Sequence, residues 1–95
     1  MKLTTKELRD VTLLLLKVME DHGHTRVSFS PEDSFYQKIE YEDRDFGGNP
    51  TTVMGSLDDD MERLKSLLKG EYPILADLDR LGSVFTALGA VLTRD

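Results

Sequence analysis

The 95-residue chain contains no cysteine and no tryptophan. The absence of thiols excludes a disulfide framework, a cysteine-ligated zinc or iron–sulfur site and a cysteine nucleophile. Long apolar runs are also missing. The longest uncharged stretch is the 13 residues from Leu81 to Thr93, whereas a membrane span needs about 20. We therefore expect no membrane segment and no secretory signal, and a cytoplasmic location.

Basic residues are the scarcer charged class. Lys and Arg number 12 against 18 Asp and Glu, which gives a net charge of -6. This balance argues against non-specific nucleic-acid binding, which needs a surplus of positive charge. Hydrophobic residues make up 39% of the chain, too many for a wholly disordered protein. The length predicts one helical domain spanning residues 1–95.

The periodicity of apolar residues predicts an all-α fold with three main helices, at about 5–22, 57–69 and 73–93. Thr4 and Glu7 have the spacing of a capping box at the start of the first helix. Ser56 is the expected N-cap of the second helix, and Pro73 is the expected first residue of the third. Glycines at 23 and 70 occupy positions where helices commonly end. The apolar arcs are wide, so three helices of this length cover one another only partly.

The region 24–55 is less regular. Val27 and Phe29 alternate with polar residues and predict a possible minor strand. Ser30 and Pro31 predict the start of a short helix. We expect that helix to run through Phe35, Tyr36 and Ile39.

Two groups of polar residues resemble metal ligands. His22 and His24 flank a predicted helix end, where their rings point in different directions, so a surface helix terminus is the favoured interpretation over a metal site. Asp58, Asp59 and Asp60 are consecutive in a helix and point about 100° apart, so they cannot converge on one ion. They suit the first turn of a helix, where negative charge is favoured.

No nucleophilic triad, phosphate loop or dinucleotide motif is present, so we predict no catalytic residue and no cofactor. Two segments are candidates for protein contact. One is the acidic, aromatic-bearing segment 40–48, which would receive a basic protein partner. The other is the third helix, in which glycines suggest close approach of a neighbouring helix and a homodimer interface. The candidate interaction residues are Tyr36, Tyr41, Glu42, Asp43, Asp45, Phe46, Gly82, Phe85 and Gly89.

The segment from Gly55 to Asp60 has the pattern Gly-x-Leu-x-Asp-Asp, preceded by Pro50 and by the aromatic Tyr36. This pattern resembles small bacterial proteins of uncharacterised function, which implies a compact bacterial domain and no particular activity. The leading hypothesis is a non-catalytic acidic interaction protein: an adaptor, inhibitor or assembly subunit. The alternative is a small metal- or ligand-binding protein that uses His22, His24 and nearby carboxylates.

Overall fold

A computed structural model of the protein describes residues 1–41 and 50–94, and the side chains of residues 1–37 and 53–94 among them. The described part is mostly helical, with one small antiparallel sheet, so the all-α prediction holds only approximately. The helices are α1 (Thr5–Asp21), α2 (Leu57–Leu68) and α3 (Ala76–Leu92), and the strands are β1 (Phe35–Tyr41) and β2 (Pro50–Ser56). A 3-10 turn, Pro31–Ser34, precedes β1.

Helix α1 begins with the predicted capping box. The Glu7 amide donates to the Thr4 hydroxyl at 3.0 Å, and the Thr4 amide donates to the Glu7 carboxylate at 3.2 Å. The chain leaves the helix through Gly23, whose φ of 84° is readily adopted only by glycine. These local signals fix the helix ends. No residue of α1 is buried.

The expectations for residues 27–39 hold only in part: a short helical turn begins where Ser30 and Pro31 predict it and a strand is present, but the strand lies elsewhere and the turn is shorter than the predicted helix. Ser30 does cap a turn by accepting from the Asp33 amide at 3.3 Å, but that turn ends at Ser34 and does not lengthen into a helix. Phe35, Tyr36 and Ile39 lie in β1, paired with β2, and Val27 and Phe29 lie in no strand. The β-branched run Thr51–Val53 supplies the partner strand, and aromatic and β-branched residues favour such pairing over a short, poorly nucleated helix.

Strand β2 runs directly into α2. Ser56 is the last residue of β2 and also the N-cap of α2, where its hydroxyl accepts from the Asp59 amide at 3.4 Å. The three aspartates at 58–60 occupy the first turn of α2, as the helix dipole favours. Helix α2 ends at Leu68, and the chain turns at Gly70 with a φ of 104°.

Helix α3 begins at Ala76, three residues later than the prediction based on Pro73. The physical reason is the Asp77 carboxylate, which accepts from the backbone N–H of Ile74 at 2.9 Å. The preceding residues are held by the side chain of Arg63, which donates to the carbonyl of Tyr72 at 3.0 Å. These contacts hold residues 72–75 as a connection between α2 and α3 instead of a first helical turn.

The buried core is small. Among the residues whose side chains are described, the buried apolar ones are Leu57, 4% exposed, and Val84, 8% exposed. Two acidic residues, Asp60 and Asp77, are buried as deeply. The core therefore lies where the start of α2 meets the middle of α3, and polar side chains contribute as much to it as apolar ones.

Candidate interaction surface

An apolar stripe runs along α1. It consists of Leu8, Val11, Leu15 and Val18, whose side chains are 44–58% exposed. Their spacing of three, four and three residues places them on one side of the helix. Thr12, Leu16 and Met19 are half-buried on the adjacent side. Helix α1 thus directs a modest part of its apolar surface toward the rest of the chain and leaves the stripe outside.

A second apolar stripe, Leu78, Leu81 and Phe85, runs along α3 and is 36–64% exposed. The two stripes meet at a hollow of about 390 Å³ between α1 and α3. Leu15 and Val18 of α1 line this hollow together with Phe85 of α3. We call the two stripes together the apolar surface.

The apolar surface continues past the end of α2. A wider hollow of about 670 Å³ opens there, and Leu78 and Leu81 form one of its walls. Leu64, Leu67 and Tyr72 form another part of its lining. Exposed apolar side chains therefore extend from Val18 on α1 to the α2–α3 connection.

The glycines of α3 face open space. A Cβ atom placed at Gly82 or Gly89 would meet nothing within 4 Å outside its own turn of helix. The close approach of a neighbouring helix that these glycines suggested is therefore not made by another part of the described chain. Gly89 lines the hollow between α1 and α3, one turn beyond the predicted interaction residue Phe85.

A buried carboxylate joins α2 to α3. Arg63 donates to Asp77 with two nitrogens, Nε to Oδ1 at 3.1 Å and Nη2 to Oδ2 at 3.2 Å. Arg80 adds a third charged contact to Oδ1 at 2.7 Å. Hydrogen bonds from Arg63 and from the Ile74 amide lower the pKa of Asp77 from its ordinary 3.8 to about 2. The acceptor positions of Asp77 are occupied by the fold itself.

Tyr36, a predicted interaction residue, joins the sheet to α2. It lies half-buried, and its hydroxyl donates to Oδ2 of Asp60. Tyr36 is paired across the sheet with Gly55. The Tyr36 ring occupies the space in which any Cβ at position 55 would lie. Gly55 is therefore needed for close packing, and sequence reasoning had assigned it only to a motif.

The end of the chain is held to the 3-10 turn. Arg94 donates to both carboxylate oxygens of Asp33, at 3.0 and 3.2 Å. This hydrogen bonding lowers the pKa of Asp33 below its ordinary value and raises that of Arg94. Both side chains are at least partly accessible to water. The pair connects residues 61 positions apart.

The two histidines do not form part of a ligand cluster in the described residues. Nδ1 of His22 lies 2.8 Å from the carbonyl oxygen of Val18, within its own helix end. His24 lines a separate shallow hollow with Leu16, Met19 and Glu20. Within residues 1–37 and 53–94, no group of three His, Asp or Glu side chains is placed to hold a metal ion.

Part of the predicted acidic contact segment is outside the described residues. Glu42, Asp43, Asp45 and Phe46 all fall there, and Tyr41 is described only as a backbone position in β1. Their proposed role in binding a basic partner remains a prediction.

The accessible surface is large for the mass. The chain exposes 8257 Å², whereas a compact monomer of its 10.8 kDa exposes about 5,500 Å². Residues 38–52 and Asp95, whose side chains are not described, would contribute at most about 2,700 Å² even if fully extended. The remaining residues would then expose about 5,580 Å² against about 4,830 Å² for a compact protein of their mass. The excess is at least about 750 Å².

None of the helices in the described ranges is long and apolar enough to cross a membrane. Comparison of the chain with protein-family models, with curated proteins and with solved structures finds no match in any of the three.

Proposed function

We propose that this chain is a non-catalytic interaction protein that acts by surface contact, as an adaptor, inhibitor or assembly subunit. The observation that carries the proposal is the apolar surface. A soluble protein rarely exposes a large contiguous apolar area unless another molecule covers it. Here the stripes on α1 and α3 together present seven large apolar side chains, each at least 36% exposed.

The use of polar groups supports the same proposal. The buried carboxylate of Asp77 accepts hydrogen bonds from two arginines and a backbone amide, and that of Asp60 accepts from Tyr36. Such groups stabilise the fold and leave little for chemistry on a substrate. In the described residues, nothing favours the metal-binding alternative based on His22 and His24.

The acidic balance suggests a second feature of the proposed function. Residues 24–95 carry the whole net charge of -6, because the charges within residues 1–23 cancel. A partner with a basic surface would be attracted to this part of the chain and would associate faster at low salt. The acidic segment near Tyr41 is where we propose such a partner binds.

Site-specific photo-cross-linking in the native cell tests whether any macromolecule covers the apolar surface. A benzoylphenylalanine residue placed at Leu15 or Leu78 reports on the surface, and the same residue at the exposed Lys65 of α2 is the matched control. We expect adducts of higher mass from Leu15 and Leu78 and none from Lys65. Equal yields at all three positions, or no adduct at any, would overturn the proposed function.

A further inference from the structure

We infer that the molecule covering the apolar surface is a second copy of the same chain, related by a two-fold axis, with the two α1 helices antiparallel. This inference rests on the proposed function and names its partner. A two-fold contact uses the same patch on both chains, so the patch must be complementary to itself. The spacing of the stripe on α1 and the charges along that helix meet this requirement, and the excess accessible area is large enough for such a contact.

The spacing on α1 is that of a helix–helix seam. Leu8, Val11, Leu15 and Val18 follow one another at three, four and three residues, the a and d spacing of paired helices. Aliphatic side chains at these positions insert between those of a facing helix. The same stripe on a second chain provides equivalent side chains, so each could pack against the other without a polar group being buried.

The charges of the first segment favour the antiparallel arrangement. Residues 1–12 contain three basic and two acidic residues, and residues 13–23 contain one basic and two acidic residues. The two halves therefore carry net charges of +1 and -1. Antiparallel packing places each half beside its opposite and also opposes the two helix dipoles.

The area also matches a dimer. The excess accessible surface lies between about 750 and about 2,700 Å² per chain. A standard protein interface buries about 800 Å² from each partner, and obligate homodimers bury about 1,000–2,500 Å². One α1 helix is only about 25 Å long, so the stripe on α3 is expected to share the contact.

The open glycines of α3 suit this role. Gly82, Phe85 and Gly89 are three and four residues apart, on one side of α3. Because nothing in the described chain fills the space beside the two glycines, the backbone of a second copy can approach there. The phenyl ring of Phe85, 38% exposed, would provide the apolar contact between them.

Sedimentation equilibrium tests the partner. We expect the wild-type chain to show twice its 10.8 kDa mass at concentrations on the order of 10 µM. The substitution Leu15→Glu, on the stripe, should weaken association by at least about 100-fold, because it places a charge in an apolar contact. Leu13→Glu, on the same helix but off the stripe, is the matched control and should leave the dimer intact. Both positions are more than half exposed, so circular dichroism should show that both variants fold.

Disulfide trapping tests the antiparallel orientation of the two α1 helices. Because the chain contains no cysteine, only the introduced thiols can form a disulfide between chains. In the antiparallel pair, position 8 lies opposite position 18 of the second chain. The two copies of position 8 lie about 15 Å apart along the axis, beyond disulfide reach. With oxidised glutathione as the oxidant, Leu8→Cys mixed with Val18→Cys should form a heterodimer, and Leu8→Cys alone should not. Efficient self-linking of Leu8→Cys would overturn the antiparallel arrangement.

The failures of the two proposals are distinguishable. A wild-type chain that is monomeric at all concentrations, with cross-linked adducts from Leu15 that contain a different polypeptide, overturns the second copy and leaves the proposed function standing. A dimer that Leu15→Glu does not weaken overturns the assignment of the contact to α1. Adducts of twice the chain mass from Leu15 and Leu78, together with a monomeric Leu15→Glu, support both.

Discussion

Helix α1 and the α2–α3 pair are stabilised in different ways. The polar contacts described for α1 are local: a capping box and the pairs Lys6–Asp10 and Lys17–Asp21, each four residues apart. The α2–α3 pair is joined by Arg63 and Asp77, which are 14 residues apart. Helix α1 buries no residue, whereas α2 and α3 each bury two. The described polar contacts of α1 are thus local and its burial is slight, whereas α2 and α3 depend on tertiary contacts with each other.

This difference shows how a small chain can combine a folded unit with an available surface. The α2–α3 pair and the sheet have few apolar residues inside and compensate with hydrogen-bonded carboxylates. The aliphatic side chains of α1 contribute little to that core. They are consequently exposed for contact with another chain. Mutations in α2, α3 and the sheet should therefore change the free energy of unfolding, whereas mutations on the stripe of α1 should change association.

The largest effect should come from Leu57→Ala at the core. Removing a buried leucine side chain costs about 2–5 kcal/mol in the free energy of unfolding. The matched control is Leu13→Ala on α1, where the side chain is 59% exposed and the expected change is within about 0.5 kcal/mol. Urea denaturation followed by circular dichroism measures both. Equal costs at the two positions would contradict the comparison.

The next effect concerns Asp77 and acid. Its folded-state pKa of about 2 is below the ordinary 3.8, so its contribution to stability is complete above pH 3.8 and is lost as the pH falls through about 2. Asp77→Asn should lower the urea midpoint at neutral pH and reduce the further loss of stability across that acid range.

Asp10→Asn on α1 is the control for this experiment. Asp10 pairs with Lys6 at an exposed site, and such pairs contribute little to stability. The loss of its urea midpoint as the pH falls should follow that of the wild type. If Asp77→Asn leaves the acid profile unchanged, the contacts from Arg63 do not stabilise the pair of helices as described.

A smaller effect is expected from Tyr36→Phe. This change removes the hydroxyl that donates to the buried Asp60 and should cost about 1–3 kcal/mol, because a buried acceptor loses its partner. Tyr72→Phe is the matched control, since the Tyr72 side chain is exposed and only its backbone oxygen accepts from Arg63. Urea denaturation of both variants should show a loss for Tyr36→Phe alone.

The smallest effect should be Thr4→Ala, and it should be confined to α1. Loss of a capping hydroxyl costs a helix about 0.5–2 kcal/mol. Hydrogen exchange should therefore become faster for the amides of α1 and stay unchanged for those of α2. Thr4→Ser keeps a hydroxyl and should restore the wild-type rates. Faster exchange in both helices would show that α1 is coupled more tightly to the rest than its exposure indicates.

Sequence reasoning succeeded where the determinants are local. The ends of α1 and α2 were predicted to within one residue because Thr4, Ser56 and the glycines at 23 and 70 act on their own turns of helix. The start of α3 was missed because Asp77 binds Arg63 and the Ile74 amide. A minor strand was predicted in the middle region but at the wrong position, Val27 and Phe29. Thr51, Thr52 and Val53 form a β-branched run, but the capping signal at Ser30 suggested a helix where β1 lies.

The candidate surface was predictable in part. Wide apolar arcs on short helices indicated more apolar area than one small core can hold, and the exposed stripes agree with that argument. The pairs Tyr36–Asp60 and Arg63–Asp77 were not predictable, because their members are 24 and 14 residues apart and no periodic spacing links them. Tyr36 was predicted to be an interaction residue, and in the structure its hydroxyl donates to the carboxylate of Asp60.

The absence of any spacer between β2 and α2 has one more consequence. Because Ser56 serves both elements, a single residue inserted after Gly55 would rotate α2 by about 100° against the strand and carry Asp60 away from the Tyr36 hydroxyl. Length changes at this joint should therefore lower stability by disrupting the contact between the sheet and α2, and loop grafting or tag insertion in this protein is better attempted at the Gly70 turn.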